Sequence, residues 1–240
     1  MSSDPQALLG ELAALRLSAR RDRHAYWLPL LLFGALALAA TPLYTDSIGP
    51  DGLRAGLGGP ALAALGGDLL DHATALGWFW LGALIGGYLI SLWWYRRHAR
   101  QVGLQTPTRL YLRTGVLGVL AGLALGPVLM WLLRNSWTPV SEVAQVVLRP
   151  VASLLWLGLM PLVVVGAGLL VLARLERSRF LAGTAFILLV ALALAPVYVN
   201  AVDFGATFPR WGFLPVVLVP AVILVAAGGA AYLRTARPAR

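Results

Sequence analysis

Six long runs without a single charged side chain dominate the sequence: Ala25–Tyr44, Ala73–Tyr95, Thr114–Leu133, Val151–Ala173, Phe180–Val199 and Trp211–Leu233. Each is 20 to 23 residues long. A helix needs roughly 20 residues to cross a hydrocarbon core about 30 Å thick. No water is present there to pair with peptide groups, so only helices and closed barrels can span it, and these runs lack the alternation of barrel strands. The expected fold is therefore all-α, a polytopic membrane bundle of six transmembrane helices.

Composition removes the alternatives. The chain is 59% hydrophobic and only 12% charged, with a mean hydropathy of +0.78, whereas soluble domains are about 25% charged. A water-soluble enzyme or binding module would have nowhere to bury so much apolar surface, and a disordered chain would carry far less of it. There is no cysteine, hence no disulfide, no thiolate nucleophile and no Cys-ligated metal.

The charges that remain are arranged. All 19 basic residues are arginine; together with the abundance of Ala, Gly and Leu this reads as the codon bias of a GC-rich bacterial genome. Fifteen of the nineteen fall in alternate segments: Arg16, Arg20, Arg21 and Arg23 before the first run; Arg96 to Arg113 after the second; Arg174, Arg177 and Arg179 between the fourth and fifth; and Arg234, Arg237 and Arg240 at the end. Cytoplasmic loops carry the excess of basic residues. Six spans with both termini cytoplasmic, in a bacterial plasma membrane, would put these four clusters on that one side. The net charge of +9 is explained by topology, without nucleic acid as a partner.

Residues 1–24 read as an amphipathic helix and basic segment on the cytoplasmic face. Asp4 and Pro5 suit its start, Leu8, Leu12, Leu15 and Ala19 share one stripe, and arginines follow near the headgroups. Such a helix serves as a topology anchor or as a docking element for a cytoplasmic partner. Residues 25–233 form the six-span domain and 234–240 a basic tail. The first run is too long for a cleaved leader and reads as a retained span. Short helices are expected in two outer loops, from Pro60 to His72 and from Thr138 to Leu148.

Within the spans, Gly82 with Gly86, and Gly118, Gly122 and Gly126, form small-residue rows of the kind that let helix backbones approach, within the bundle or between copies in a homo-oligomer. Pro161, Pro215 and Pro220 lie inside spans four and six, as candidate kinks. Trp27, Trp93 and Trp94 at one boundary, and Trp78, Trp131, Trp137 and Trp211 at the other, make an interfacial belt.

Chemistry is sparse. No span holds an ionisable acid or base, which argues against an ion-coupled transporter, a voltage sensor or a Schiff-base pump. The three histidines lie at membrane edges, where they cannot form a bis-histidine haem site. No hydrolase, zincin or P-loop signature is present, so no catalytic residue, metal ligand or cofactor is assigned. The one candidate polar constellation is Asp68, Asp71 and His72 on the outer face. At helical spacing these side chains share a side, where they could meet a cation or ligand, or simply cap the second span as solvated acids.

The segment from Arg20 through Trp27 and on to Phe33 resembles the opening of uncharacterised polytopic membrane proteins of actinobacterial type. That likeness covers the first span and implies no activity. An amphipathic N-terminal helix followed by six spans with both ends inside is similar in layout to ABC-2-type permease subunits. This resemblance implies a separate cytoplasmic ATPase as partner. Two functions are expected: a transport subunit for an apolar or amphiphilic cargo, working in the lipid bilayer with that partner, or a membrane-embedded sensor or scaffold that regulates a cytoplasmic protein.

Overall fold

The computed structural model describes residues 26–44, 66–67, 72–102, 120, 124, 128, 153–201 and 212–236. Among them there is no strand. Five helices account for most of these residues: α1, Trp27–Ala40, which tightens into a 3-10 turn over Thr41–Tyr44; α2, Ala73–Val102; α3, Met160–Glu176; α4, Arg179–Ala201; and α5, Leu214–Ala236. Four segments are long and apolar enough to cross a membrane: Trp27–Tyr44, Ala73–Arg97, Arg179–Val199 and Leu214–Thr235. The N-terminal amphipathic helix, the third span with Gly118, Gly122 and Gly126 (apart from residues 120, 124 and 128) and the two outer-loop helices (apart from residues 66, 67 and 72) lie outside the described residues.

α1 packs most extensively on α5, α5 on α4 and α4 on α3, while α2 lies against α1 and also meets α3. The pairs α1–α5 and α1–α2 are antiparallel: Trp27 meets Tyr232 at one end of the first pair, and Gly34 meets Val225 further along. Trp27 likewise meets Trp94, while Phe33 lies against Gly87. α2 and α3 run the same way: Tyr44 links Trp80 to Gly158 at one end, and Tyr95 meets Glu176 at the other. Leu30, Trp80, Leu159, Leu188 and Leu224, one from each helix or its flank, are fully buried between them. Large apolar side chains such as Trp78, Leu89, Phe186, Leu194 and Val222 face outward. For a bundle in hydrocarbon that outer surface has nothing to hide from.

The fourth apolar run differs from its expected form. It is not one helix from Val151 to Ala173: residues 153–156 are helical, the chain turns at 157–158, and α3 starts afresh at Met160. Gly158 takes a left-handed conformation (φ +67°). Its amide donates to the Leu155 carbonyl and that of Leu159 to the Leu154 carbonyl, both at 3.0 Å. This is the Schellman arrangement, in which a glycine turns the last amides back onto free carbonyls. Pro161 follows in the first turn of α3, where its missing N–H costs nothing. Inside a continuous helix its ring would collide with the Leu157 carbonyl. Pro215 likewise falls in the first turn of α5, so among the three candidate kinks only Pro220 lies in a helix interior; Pro196 does so in α4.

The small-residue row on α2 is also out of phase with its neighbour. Nothing among the described residues lies within 4 Å of where a Cβ would stand on Gly82 or Gly86. The close approach is made by Gly87, where a Cβ would come within 2.8 Å of the Phe33 ring. On a helix a one-residue step is about a 100° rotation, which separates the two faces.

Candidate functional site

Two polar arrangements stand out, at opposite ends of the bundle. The first surrounds the helix break. The Tyr44 hydroxyl donates to the Gly158 carbonyl at 2.7 Å, and the Trp80 indole N–H donates to the Tyr44 oxygen at 3.2 Å. Tyr44 and Trp80 are both fully buried. A break in an apolar helix frees carbonyls that hydrocarbon cannot satisfy, and Tyr44 supplies the missing donor. Residues 66 and 67 press against the same turn with bare backbone. Gly67 has φ +86°, and a Cβ there would lie 2.5 Å from the Gly158 amide nitrogen and 2.6 Å from the Trp156 carbonyl. Glycine is the one residue that permits this backbone-on-backbone contact at a positive φ.

The second arrangement lies where α2 ends beside α3. The Tyr95 hydroxyl donates to Glu176 Oε1 at 2.7 Å, and Glu176 Oε2 is buried with no hydrogen-bond partner among the described residues. Ser91 Oγ, one turn earlier on α2, is in the same condition. Glu176 stands three residues beyond the fourth apolar run. Burial pushes its carboxyl from an ordinary 4.5 up to about 7, and the Tyr95 hydrogen bond pulls the other way. An aromatic layer closes this end of the bundle. Trp27 makes edge contacts with Trp94 and Tyr232 at 5.6 and 5.2 Å. Phe180 lies 6.1 Å from Tyr26 and carries the Arg234 guanidinium 4.5 Å above its ring.

A pH dependence follows. In the unfolded chain Glu176 loses its proton near 4.5, and in the fold near 7. Below the lower value both states hold the proton and ionisation costs nothing. As pH rises towards 7 the unfolded state ionises first, so stability falls by on the order of 3 kcal/mol in total. Thermal unfolding in mild detergent is expected to show the wild type melting lower at pH 8 than at pH 5. Glu176→Gln keeps an acceptor for Tyr95 without the charge and is expected to lose most of that difference. Parallel pH curves for the two proteins would contradict this account.

Of the candidate outer-face cluster, Asp68 and Asp71 lie outside the described residues. His72 is exposed in the turn before α2, and its carbonyl accepts from the Leu76 amide at 2.9 Å. No group of three potential metal ligands forms among the described residues. The interfacial tryptophans divide: Trp93 and Trp78 face outward, with Arg97 lying 5.3 Å from the Trp93 ring, whereas Trp27 and Trp94 pack between helices.

Sequence reading missed Tyr44, Trp80 and Gly158, although signals for them exist. Trp80 lies well inside its run rather than at a boundary, so its indole N–H needs a partner. Gly158 is followed three residues later by proline, the punctuation of a helix end. Glu176 carried no comparable signal, because an acid flanked by arginines reads as an exposed residue.

No protein-family model matches this chain, and neither the curated proteins nor the solved structures include a significant match to it.

Proposed function

We propose that the chain is a transport-type subunit of a bacterial plasma membrane, with six spans and both termini in the cytoplasm. It handles an apolar or amphiphilic cargo and draws its energy from a cytoplasmic ATPase. The observation that carries this reading is the break at Gly158. Non-helical backbone at membrane depth is costly and is tolerated where it is buried in protein or lines a path. Discontinuous helices of this kind are what transporters use at their working sites. The break is held by a side-chain donor from α1, an indole from α2 and the backbone of residues 66–67. Movement of any one of these changes what Gly158 presents. The absence of acids and bases from all six apolar runs removes the usual means of ion coupling and favours a partner as the energy source.

Extraction of tagged protein from its native membrane directly into nanodiscs tests the proposal. A cytoplasmic ATPase is expected in stoichiometric amount, with hydrolysis stimulated by amphiphiles and lost on mutation of Tyr44 to Phe. A chain recovered alone would leave the transport reading without an energy source. Recovery with a regulator and no ATPase would replace it with the sensor or scaffold.

A further inference from the structure

We infer that the groove between α3 and α4 at the arginine-bearing end of the bundle is a binding site for an anionic phospholipid, which places its phosphate among Arg174, Arg177 and Arg179. The groove is open, about 670 Å³ in volume, and runs up to the α3–α4 reversal. Its walls are Ala167, Leu170, Val171, Ala173 and Ala182, and its polar end is formed by the three arginines and Ser178. That pairing of apolar walls with guanidinium groups at one end matches the chemistry of a lipid. Acyl chains gain from the walls, and a phosphate diester accepts paired hydrogen bonds from planar guanidinium groups. A soluble anion would gain nothing from the apolar length of the groove. An apolar bundle lying in hydrocarbon brings this end to the headgroup level, where anionic lipids attract basic residues.

The arginines are available for this role. Arg234 is held over Phe180 and Arg97 over Trp93, but Arg174, Arg177 and Arg179 are exposed and pair with no acid or ring among the described residues. Glu176, the acid among them, turns to Tyr95 on α2.

The backbone supplies a separate argument. Arg177 is the only non-glycine residue with positive φ among the described residues, at φ 52° and ψ 34°. Its amide donates to the Arg174 carbonyl at 3.4 Å, and that of Ser178 to the Ala173 carbonyl at 3.0 Å. This is the same helix-ending motif that Gly158 makes at the other end of α3, with arginine in the position that glycine fills at least cost. Strain of that kind is retained where the side chain serves a purpose. The reversal also sets Arg174, Arg177 and Arg179 around a single turn at the end of the groove, with no acid paired to them among the described residues.

The site does not depend on the break at Gly158 and stands whether or not the chain transports. The test uses the full chain in detergent micelles, titrated with short-chain phosphatidylglycerol, short-chain phosphatidylcholine or glycerol phosphate, and read by native mass spectrometry and melting temperature. Phosphatidylglycerol is expected to bind at least tenfold more tightly than either competitor. Replacing all three arginines with glutamine should remove that preference. Ala182→Trp fills the groove without altering charge and should weaken binding of both lipids. Arg177→Gly should melt no lower than wild type yet bind phosphatidylglycerol several-fold more weakly, a combination that a purely structural arginine would not produce. Equal affinity for glycerol phosphate and phosphatidylglycerol would make this a soluble-anion site and overturn the inference. So would unchanged lipid affinities in the Ala182→Trp and Arg177→Gly proteins, even if the triple variant failed to fold.

Discussion

Gly158→Ala is expected to destabilise the fold by about 2–4 kcal/mol. Two costs add. An alanine at φ +67° sits in the left-handed region that L-residues enter at a cost of about 1–2 kcal/mol. Its Cβ would also stand 2.5 Å from the Gly66 carbonyl oxygen and 2.9 Å from its carbon, which are backbone atoms with no rotamer to retreat into. Relief requires the residue 66–67 segment to move away, and that exposes the Trp156 carbonyl and loosens the partner of Tyr44. Thermal unfolding in nanodiscs, compared with Gly168→Ala on α3, measures the effect. A Cβ on Gly168 meets nothing within 4 Å, so that variant should melt at or above the wild-type temperature. Equal melting of the two variants would mean that the break at Gly158 is not a strained, tightly packed turn.

Gly228→Leu is expected to disrupt the α1–α5 pair, the most extensive helix contact among the described residues. A Cβ at Gly228 would lie 2.7 Å from Leu31 Cγ and 2.9 Å from the Leu31 backbone nitrogen. On the other helix, a Cβ at Gly34 would meet Val225 Cγ2 at 2.7 Å and the Val225 nitrogen at 3.0 Å. The two glycines thus set how closely the axes approach, and each is met by a backbone atom of the partner helix. A leucine must push the helices apart and strip contacts from Leu30, Ala37, Val217 and Leu224, all fully buried. Overpacking of this kind costs about 1–3 kcal/mol, and more when the backbone cannot yield. Gly229→Leu is the control, since nothing lies within 4 Å of a Cβ there. Size-exclusion profiles and melting curves should show Gly228→Leu aggregated or melting well below the control. Indistinguishable behaviour would show that α1 and α5 do not approach through these glycines.

Some of this architecture was legible in advance and some was not. Four segments long and apolar enough to cross a membrane stand where uncharged runs predicted spans, because length and hydropathy are properties of each segment alone. The reversal between α3 and α4 also falls inside the arginine cluster from Arg174 to Arg179. The row Gly82–Gly86 has no neighbour on its face among the described residues, whereas Gly87, in the adjacent row Ala83–Gly87–Ser91, makes a close approach, as do Gly34 and Gly228, which belong to no such row. Helices apolar on every side show no polar stripe from which the buried face can be inferred. Gly158 and Pro161 carried a local signal for the break, but continuous hydropathy on both sides masked it. The pairing of Glu176 with Tyr95, two residues far apart in sequence, had no local signal at all.

By itself, the sequence determined that this chain is helical and apolar enough to span a membrane, and where arginines follow four of the six apolar runs. Those outcomes follow from transfer energies that a segment experiences without partners. Tertiary structure decided which glycines touch and where the fourth run breaks. It also decided that Glu176 turns inward to Tyr95 while its arginine neighbours line an open groove. The physical reason is that rotation about a helix axis costs an isolated apolar helix almost nothing in hydrocarbon, so only the shapes and free carbonyls of its neighbours can select one orientation.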